Sequence, residues 1–358
     1  MKSAKRMKHK STTVLFILVI LSLTFSCVGC DRQSLFAPLW QETPIPEPDR
    51  DAMSDGTEPE PEEPAPIFYN QLTGLVCDEA LSSYRPISVC VGGFDELRQE
   101  ALSLADVVVE APISGGLTRL WAIYGTPSAA TQISHVSPAK DYMLPIADSF
   151  GAITVFAGQE ATHDSAYPYP TRDRIDSTDA RVSDAFRASN GVIFTDGASL
   201  LSMAERLGLP TLGAISLPFV FPVPDTAYAP CGNAISSIRF SFSEGNTVSF
   251  SFDPSTGVYT HASNSASNDS PCFNNVLLLF HNVSYYHSTE GTSFSLDTAA
   301  GGTGFCYTGG TMTTVTWQAD ENGLLSFYDA EGTPLTVNRG KTYIGMLRIT
   351  DSATVIAK

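Results

Sequence analysis

Apolar and polar positions divide the chain into four textures. Residues 12–25 are almost continuously apolar, and residues 31–66 mix acidic residues with proline and show no hydrophobic period. From Ile67 to Leu217 two periods alternate. The runs Ile87–Val91, Val107–Val109 and Ala152–Ala157 are continuous and rich in β-branched residues, as in buried strands. Phe94, Leu97, Ala101 and Leu104 fall on one side of a predicted helix over 94–104. Ser137-Pro138 predicts a helix with proline in its first turn, running to Phe150. Asp196 predicts the cap of a helix through Leu207, closed by Gly208 and Pro210. Asn70–Leu75 reads as a turn and Val192–Phe194 as a short strand. Gln159–Asp179, polar and broken by proline, reads as a long surface loop. Alternating strands and helices predict a layered α/β domain over 67–217.

Pro218, Pro222, Pro224 and Pro230 change the texture and predict a linker over 218–230. Helical patterns then stop. Ile238, Phe240 and Phe242 alternate with polar residues, as do Val248, Phe250 and Phe252. Turns recur at Glu244-Gly245-Asn246, Ser255-Thr256-Gly257, Glu321-Asn322-Gly323 and Glu331-Gly332. The expectation is a β-rich, mainly antiparallel domain over 231–358. The fold class is therefore α/β (α+β), with a layered N-terminal part and a β-rich C-terminal part.

Residues 103–124 carry paired charges in an otherwise apolar run and read as a hairpin. Gly115-Gly116 supplies the positive φ angles of a two-residue loop. Ser114 then faces Leu117, and Glu110, Arg119 and Trp121 share one face, with Glu110 diagonal to Arg119 and in contact with it. A three-residue loop would put the two charges on opposite faces. The pair reads either as a structural ion pair lying on the sheet, or as a site where Arg119 takes a carboxylate or phosphate while Glu110 orients it.

Composition adds location. Lys2, Lys5, Arg6, Lys8 and Lys10 precede the apolar run, the layout of an export signal over 1–30. The run is short for a membrane-spanning helix. Its end, Ser26-Cys27-Val28-Gly29-Cys30, resembles a bacterial lipobox, with small Gly29 before Cys30. Cys30 is the expected site of lipid, palmitate included, and Cys27 is a second candidate. The segment 31–66 is an acidic, proline-rich tether, disordered because it buries too little apolar surface to fold. The formal charge of −17, which becomes −22 when the five basic residues of 1–29 are removed, excludes nucleic acid as a partner.

Candidate chemistry is sparse. No nucleophile elbow, zinc-binding pattern or phosphate loop appears, and no metal or cofactor is expected. His135, just before a predicted helix start, reads as a capping or surface group or as a neighbour of the hairpin pair. His163-Asp164, flanked by Tyr167 and Tyr169, reads as a mobile loop or as one that contacts sugar or peptide. His281 and His287 flank a strand end with no metal spacing. Cys77 and Cys90 could pair, as could two of Cys231, Cys272 and Cys306.

Several stretches together resemble the YerB-like lipoprotein family, a two-part domain of unknown function. They are Asn70–Leu75, Arg85–Val89, Ala105–Glu110 and Gly115–Arg119, then Gly310–Trp317 and Asn338–Tyr343. The resemblance implies an α/β layer with a β-rich closing part and brings no reaction. This chain departs from the pattern in four places. The family tends to have two asparagines at Gly92-Gly93, an arginine-rich turn over Ser134–Lys140, a histidine at Phe156 and a Pro-His-Asn run near Asn190–Val192. Only Lys140 keeps a charge at a matching place in that turn.

The candidate ligand-binding residues are Glu110, Thr118, Arg119, His135, Lys140, His163 and Asp164. The expected role is a lipid-anchored binding or scaffolding protein on the outer face of the cytoplasmic membrane, not an enzyme. It would be held by lipid on Cys30 and partnered by an envelope protein, with wall synthesis the expected setting. The alternative is a weak hydrolase, or a protein binding carbohydrate or peptidoglycan fragments, near Glu110 and Arg119.

Overall fold

The computed structural model describes residues 65–93, 99–160, 172–262, 270–288 and 291–358. The export signal with Cys27 and Cys30, the tether up to residue 64, and His163 and Asp164 lie outside these residues. Residues Pro64–Lys358 form one compact unit. Among the described residues no helix is long and apolar enough to cross a membrane.

Ten strands form the central sheet. Five come from the first half of the chain: β1 (Ile87–Gly92), β2 (Val107–Pro112), β3 (Thr118–Tyr124), β4 (Ile153–Phe156) and β5 (Arg174–Asp176). A separate five-stranded sheet contains β6 (Ser237–Ser243), β7 (Asn246–Asp253), β8 (Val258–Ala262) and β9 (Cys272–Phe273). The second half adds β10 (Asn275–His281), β11 (Gly302–Thr308), β12 (Thr311–Ala319), β13 (Leu325–Tyr328) and β14 (Thr342–Arg348) to the central sheet. The last strand, β15 (Ile356–Ala357), closes the smaller sheet. The order of the large sheet is β13-β12-β11-β10-β14-β2-β3-β1-β4-β5, and that of the small one is β9-β8-β7-β6-β15. Most neighbours are antiparallel. The parallel pairs are β10 with β14, β14 with β2, β1 with β4, and β4 with β5.

The two textures expected either side of 218–230 thus share one sheet, joined where β14 lies beside β2. The proline-rich segment is stitched to the second half. Val220 N–H donates to Leu335 O, Val337 N–H donates to Val220 O, and the Phe219 ring is buried.

Alternation within each strand sends side chains into two cores. One face packs Val89, Val91, Leu120, Ala122 and Ile153 against helix α1 (Gln99–Leu104) and helix α3 (Gly197–Arg206). The same face packs Leu278 and Tyr343 against Phe240, Phe250 and Tyr259 of the small sheet. The other face packs Val109, Trp121, Ile344 and Leu277 under helix α2 (Leu144–Asp148) and its flanks. The continuous apolar runs read from sequence are strands covered on both faces for this reason.

Two predicted elements change. The helix expected over 137–150 is shorter, because Ala139-Lys140 pairs as a strand with Gln159-Glu160 and a 3-10 turn follows. The helix proper begins at Leu144, with Pro145 in its first turn, where a missing N–H costs nothing. The loop expected over 159–179 includes one strand of that pair, Gln159-Glu160, and β5, an edge strand of the main sheet. Charge hid this strand, since it is only Arg174-Ile175-Asp176 at a sheet edge, where charged residues are tolerated. Helix α3 is capped as expected, with Asp196 Oδ1 accepting from Ser199 N–H at 2.8 Å. Cys77, Cys90, Cys231, Cys272 and Cys306 are all free, so neither of the possible pairings forms.

Candidate functional site

The hairpin that organised the sequence reading has a different register. Val109 pairs with Trp121, Glu110 with Leu120 and Ala111 with Arg119. Ile113 N–H donates to Leu117 O at 2.8 Å, closing a loop of three residues, Ser114-Gly115-Gly116. Both glycines have positive φ, 81° and 78°, as expected, but Ser114 joins them in the loop. One extra loop residue moves every partner by one and sends alternate side chains to the other face. Glu110 and Arg119 therefore lie on opposite faces, and the expected contact between them does not form. Glu110 is not part of a site with Arg119.

Glu110 is sealed in the first core, 1 % exposed. Thr118 Oγ donates to its Oε1 at 2.6 Å, and the Tyr343 hydroxyl donates to its Oε2 at 2.7 Å. Burial and the adjacent Glu110 carboxyl push the Tyr343 hydroxyl well above its usual pKa, so it stays a donor. Thr118 is spent in the same network. This carboxyl joins β2, β3 and β14, that is, both halves of the chain.

Arg119 points the other way, beside the strand pair Ala139-Lys140 and Gln159-Glu160. Its Nη1 donates to Pro138 O at 2.7 Å and its Nη2 to Glu160 Oε1 at 3.1 Å. Lys140 Nζ reaches Glu160 Oε2 at 2.5 Å. The Arg119 and Lys140 side chains are each 15 % exposed, while Glu160 is 39 % exposed. Two cations thus share one carboxylate. Burial works upward on the Glu160 pKa, but hydrogen bonds from Lys140 and Arg119 outweigh it and hold it below its usual value. Cys90 lies nearby, with its Sγ donating to Pro138 O at 3.5 Å. Burial pushes the Cys90 thiol up to about 12 against the pull of Arg119, so it is no thiolate nucleophile.

The backbone places this cluster at the carboxyl ends of the parallel strands β1 and β4. Gly92, the last residue of β1, pairs with Arg119. His135 O accepts from Gly92 N–H at 3.0 Å, and His135 itself adopts a left-handed φ of 57°. Its Nδ1 lies 3.2 Å from Ser134 Oγ. Of the residues expected from sequence, the structure brings together Arg119, Lys140 and the His135 backbone. It sends Glu110 and Thr118 to the other face. Sequence reasoning missed Glu160, because it lies in a stretch read as loop. Its spacing from Arg119 carries no signal, since only the β-pair 139–140 with 159–160 joins them.

Residues 92–93, 134–140, 156 and 190–193 come together at this end. Ala157 N–H donates to Ser137 O, Val136 N–H donates to Ile193 O, and Phe156 closes β4. Among the described residues no group of acidic, histidine and cysteine side chains could hold a metal ion.

Comparison with known proteins agrees with this architecture. Residues 72–209 match the family described as Protein of unknown function (DUF3048) N-terminal domain, and residues 238–344 match its C-terminal domain. The chain belongs to this two-part family. A relative is the protein named "Putative lipoprotein YerB" from Bacillus subtilis (strain 168), 23% identical over 298 residues, which are 79% of this chain and 87% of that protein. The crystal structure of YerB from Bacillus subtilis has the same fold, with a TM-score of 0.64 at 20% identity, covering 81% of this chain and 99% of that one.

Proposed function

We propose that the protein is a lipid-anchored binding protein of the cell envelope, presenting its folded unit on an acidic tether. Its binding site is the strand-end cluster of Arg119, Lys140 and Glu160, which receives a carboxylate or phosphate group of a wall fragment or an envelope protein. The observation that carries this reading is the sharing of one half-exposed carboxylate by two mostly buried cations. An incoming oxyanion exchanges with Glu160 at little cost, because Glu160 opens to water while the cations stay held. The position outside the carboxyl ends of parallel strands is where open α/β sheets bind ligands. The burial of Glu110 on the opposite face argues against a site centred on it. The lipid anchor is supported by the lipobox-like end before Cys30 and by the name of the relative.

Two measurements test this. Cys30→Ala should abolish lipid labelling and release the protein from the membrane fraction. Labelling that survives that change but disappears with Cys27→Ala moves the anchor to Cys27. Anionic wall fragments should raise the melting temperature of the protein, since a ligand that binds only the folded state stabilises it. The shift should disappear in Arg119→Gln. An equal shift in that variant contradicts the site.

A further inference from the structure

At the other end of β1 lies a cavity of about 610 Å³. The amino end of β1, the extended segment 212–217 and the turn 320–326 border it. A six-residue strand spans about 17 Å, so this space is separate from the Arg119 cluster. Its volume falls in the range of roughly 300–1,000 Å³ typical of small-molecule sites.

The charges lining it are not equivalent. Arg85 is committed, with Nε donating to Gly151 O at 2.6 Å and Nη1 paired with Asp173. Asp148 is committed to Arg174 at 3.1 Å. Asp320 is exposed and accepts N–H bonds from Asn322 and Leu324 inside its own turn, both at 2.8 Å. Arg172 differs. Its one hydrogen bond among the described residues is a long contact from Nη2 to Asn322 O, 3.3 Å. Among the described residues no carboxylate lies within ion-pair distance of it, and its Nε is buried with no hydrogen-bond partner. A half-buried guanidinium thus keeps unused donors on a cavity whose other buried charges are balanced. Leu212, Ile215, Leu217 and Leu324 supply apolar wall.

We propose that this cavity binds a small molecule with an oxyanion at one end and an apolar body, with Arg172 receiving the carboxylate or phosphate. A planar fork of N–H donors suits either group, and a charge-assisted bond to an oxyanion is stronger than the long contact to Asn322 O. The site is independent of the one proposed above.

The test uses the full chain and three probes: N-acetylleucine, its uncharged amide, and inorganic phosphate, each followed by calorimetry. At least one of the acid and phosphate should bind saturably, the acid better than its amide. Phosphate competing with the acid identifies phosphate as a source of the group, and acid binding without competition identifies a carboxylate. Arg172→Gln should weaken binding about 10- to 100-fold, the value of one charge-assisted hydrogen bond. Ala214→Trp, which fills the space from an exposed backbone position, should block it. Arg119→Gln should leave it unchanged. No saturable binding by acid or phosphate, an amide that binds saturably and as well as the acid, or unchanged affinity in Arg172→Gln overturns the proposal. The amide comparison needs no variant, so it holds even where a substitution impairs folding.

Discussion

Two carboxyl groups near one hairpin do different work. Glu110, on β2, faces the core between the two sheets and is closed off by the hydroxyls of Thr118 and Tyr343. Glu160, beside β3, faces the opposite side, is half-exposed, and is held by Arg119 and Lys140. A sealed carboxyl with hydroxyl partners fixes the junction of the two halves and cannot meet a ligand. A half-open carboxylate under two cations can move aside. Polarity alone therefore does not mark a site here; access and the charge left over do.

The same contrast runs through the stretch Asn338–Tyr343, which resembles a family motif yet is spent on structure. Asn338 and Asn275 share a buried network with Thr308 and Thr342. Arg339 clamps Gly74 O and Pro222 O, its guanidinium 4.8 Å from the Tyr69 ring. Gly340 has φ 126°, and a side chain there would meet Asn274 Oδ1. Lys341 bonds Ser103 O and Tyr343 bonds Glu110. These residues tie the second half of the chain to the first.

The sealed side should give the largest effects. Glu110→Ala strands two buried hydroxyl donors and should cost roughly 3 kcal/mol or more, read by urea unfolding. A loss no larger than the ~1 kcal/mol of an exposed pair would mean that water reaches this carboxyl.

A second effect tests burial at the far end of β10. His281 is fully buried, its ring centroid 4.4 Å from that of Trp317 and tilted 39° to it, with Nδ1 3.1 Å from Asp297 O. Burial lowers its pKa from 6.5 to about 4, against the opposing pull of Asp297. The unfolded chain thus binds a proton that the folded one refuses. Stability should fall as pH drops from 6.5 towards 4 and level off below, by about 3 kcal/mol from this group. Unfolding at several pH values should show a shallower slope for His281→Gln than for the natural chain. Equal slopes would place the acid sensitivity elsewhere.

The open side should respond less. Arg119→Ala should cost about 1 kcal/mol, since the pair is partly hydrated. It should nevertheless remove ligand-induced stabilisation at the strand end. A loss as large as that of Glu110→Ala would make Arg119 a structural residue first.

Sequence made β1, β2 and β4 legible because burial on both faces leaves continuous apolar runs, as at Ile87–Val91, Val107–Val109 and Ala152–Ala157. It made α3 legible through Asp196 and Gly208, whose φ of 70° only glycine adopts readily. It could not give the hairpin register, because Ser-Gly-Gly serves a two- or a three-residue loop equally and one residue decides the face. Nor could it give Glu160, which reaches Arg119 only through a two-residue parallel pair. The joining of both halves in one sheet was equally hidden, since β14 meets β2 across more than half the chain.

The hairpin's division of labour is tested most directly by two double-mutant cycles on one variant, Arg119→Ala, crossed with Glu160→Gln and with Glu110→Gln. Coupling between Arg119 and Glu160 should be about 1 kcal/mol, and between Arg119 and Glu110 about 0, as for residues that share no partner. Coupling to Glu110 as large as that to Glu160 would return the two hairpin charges to one face and contradict the assignment of one to the fold and the other to binding.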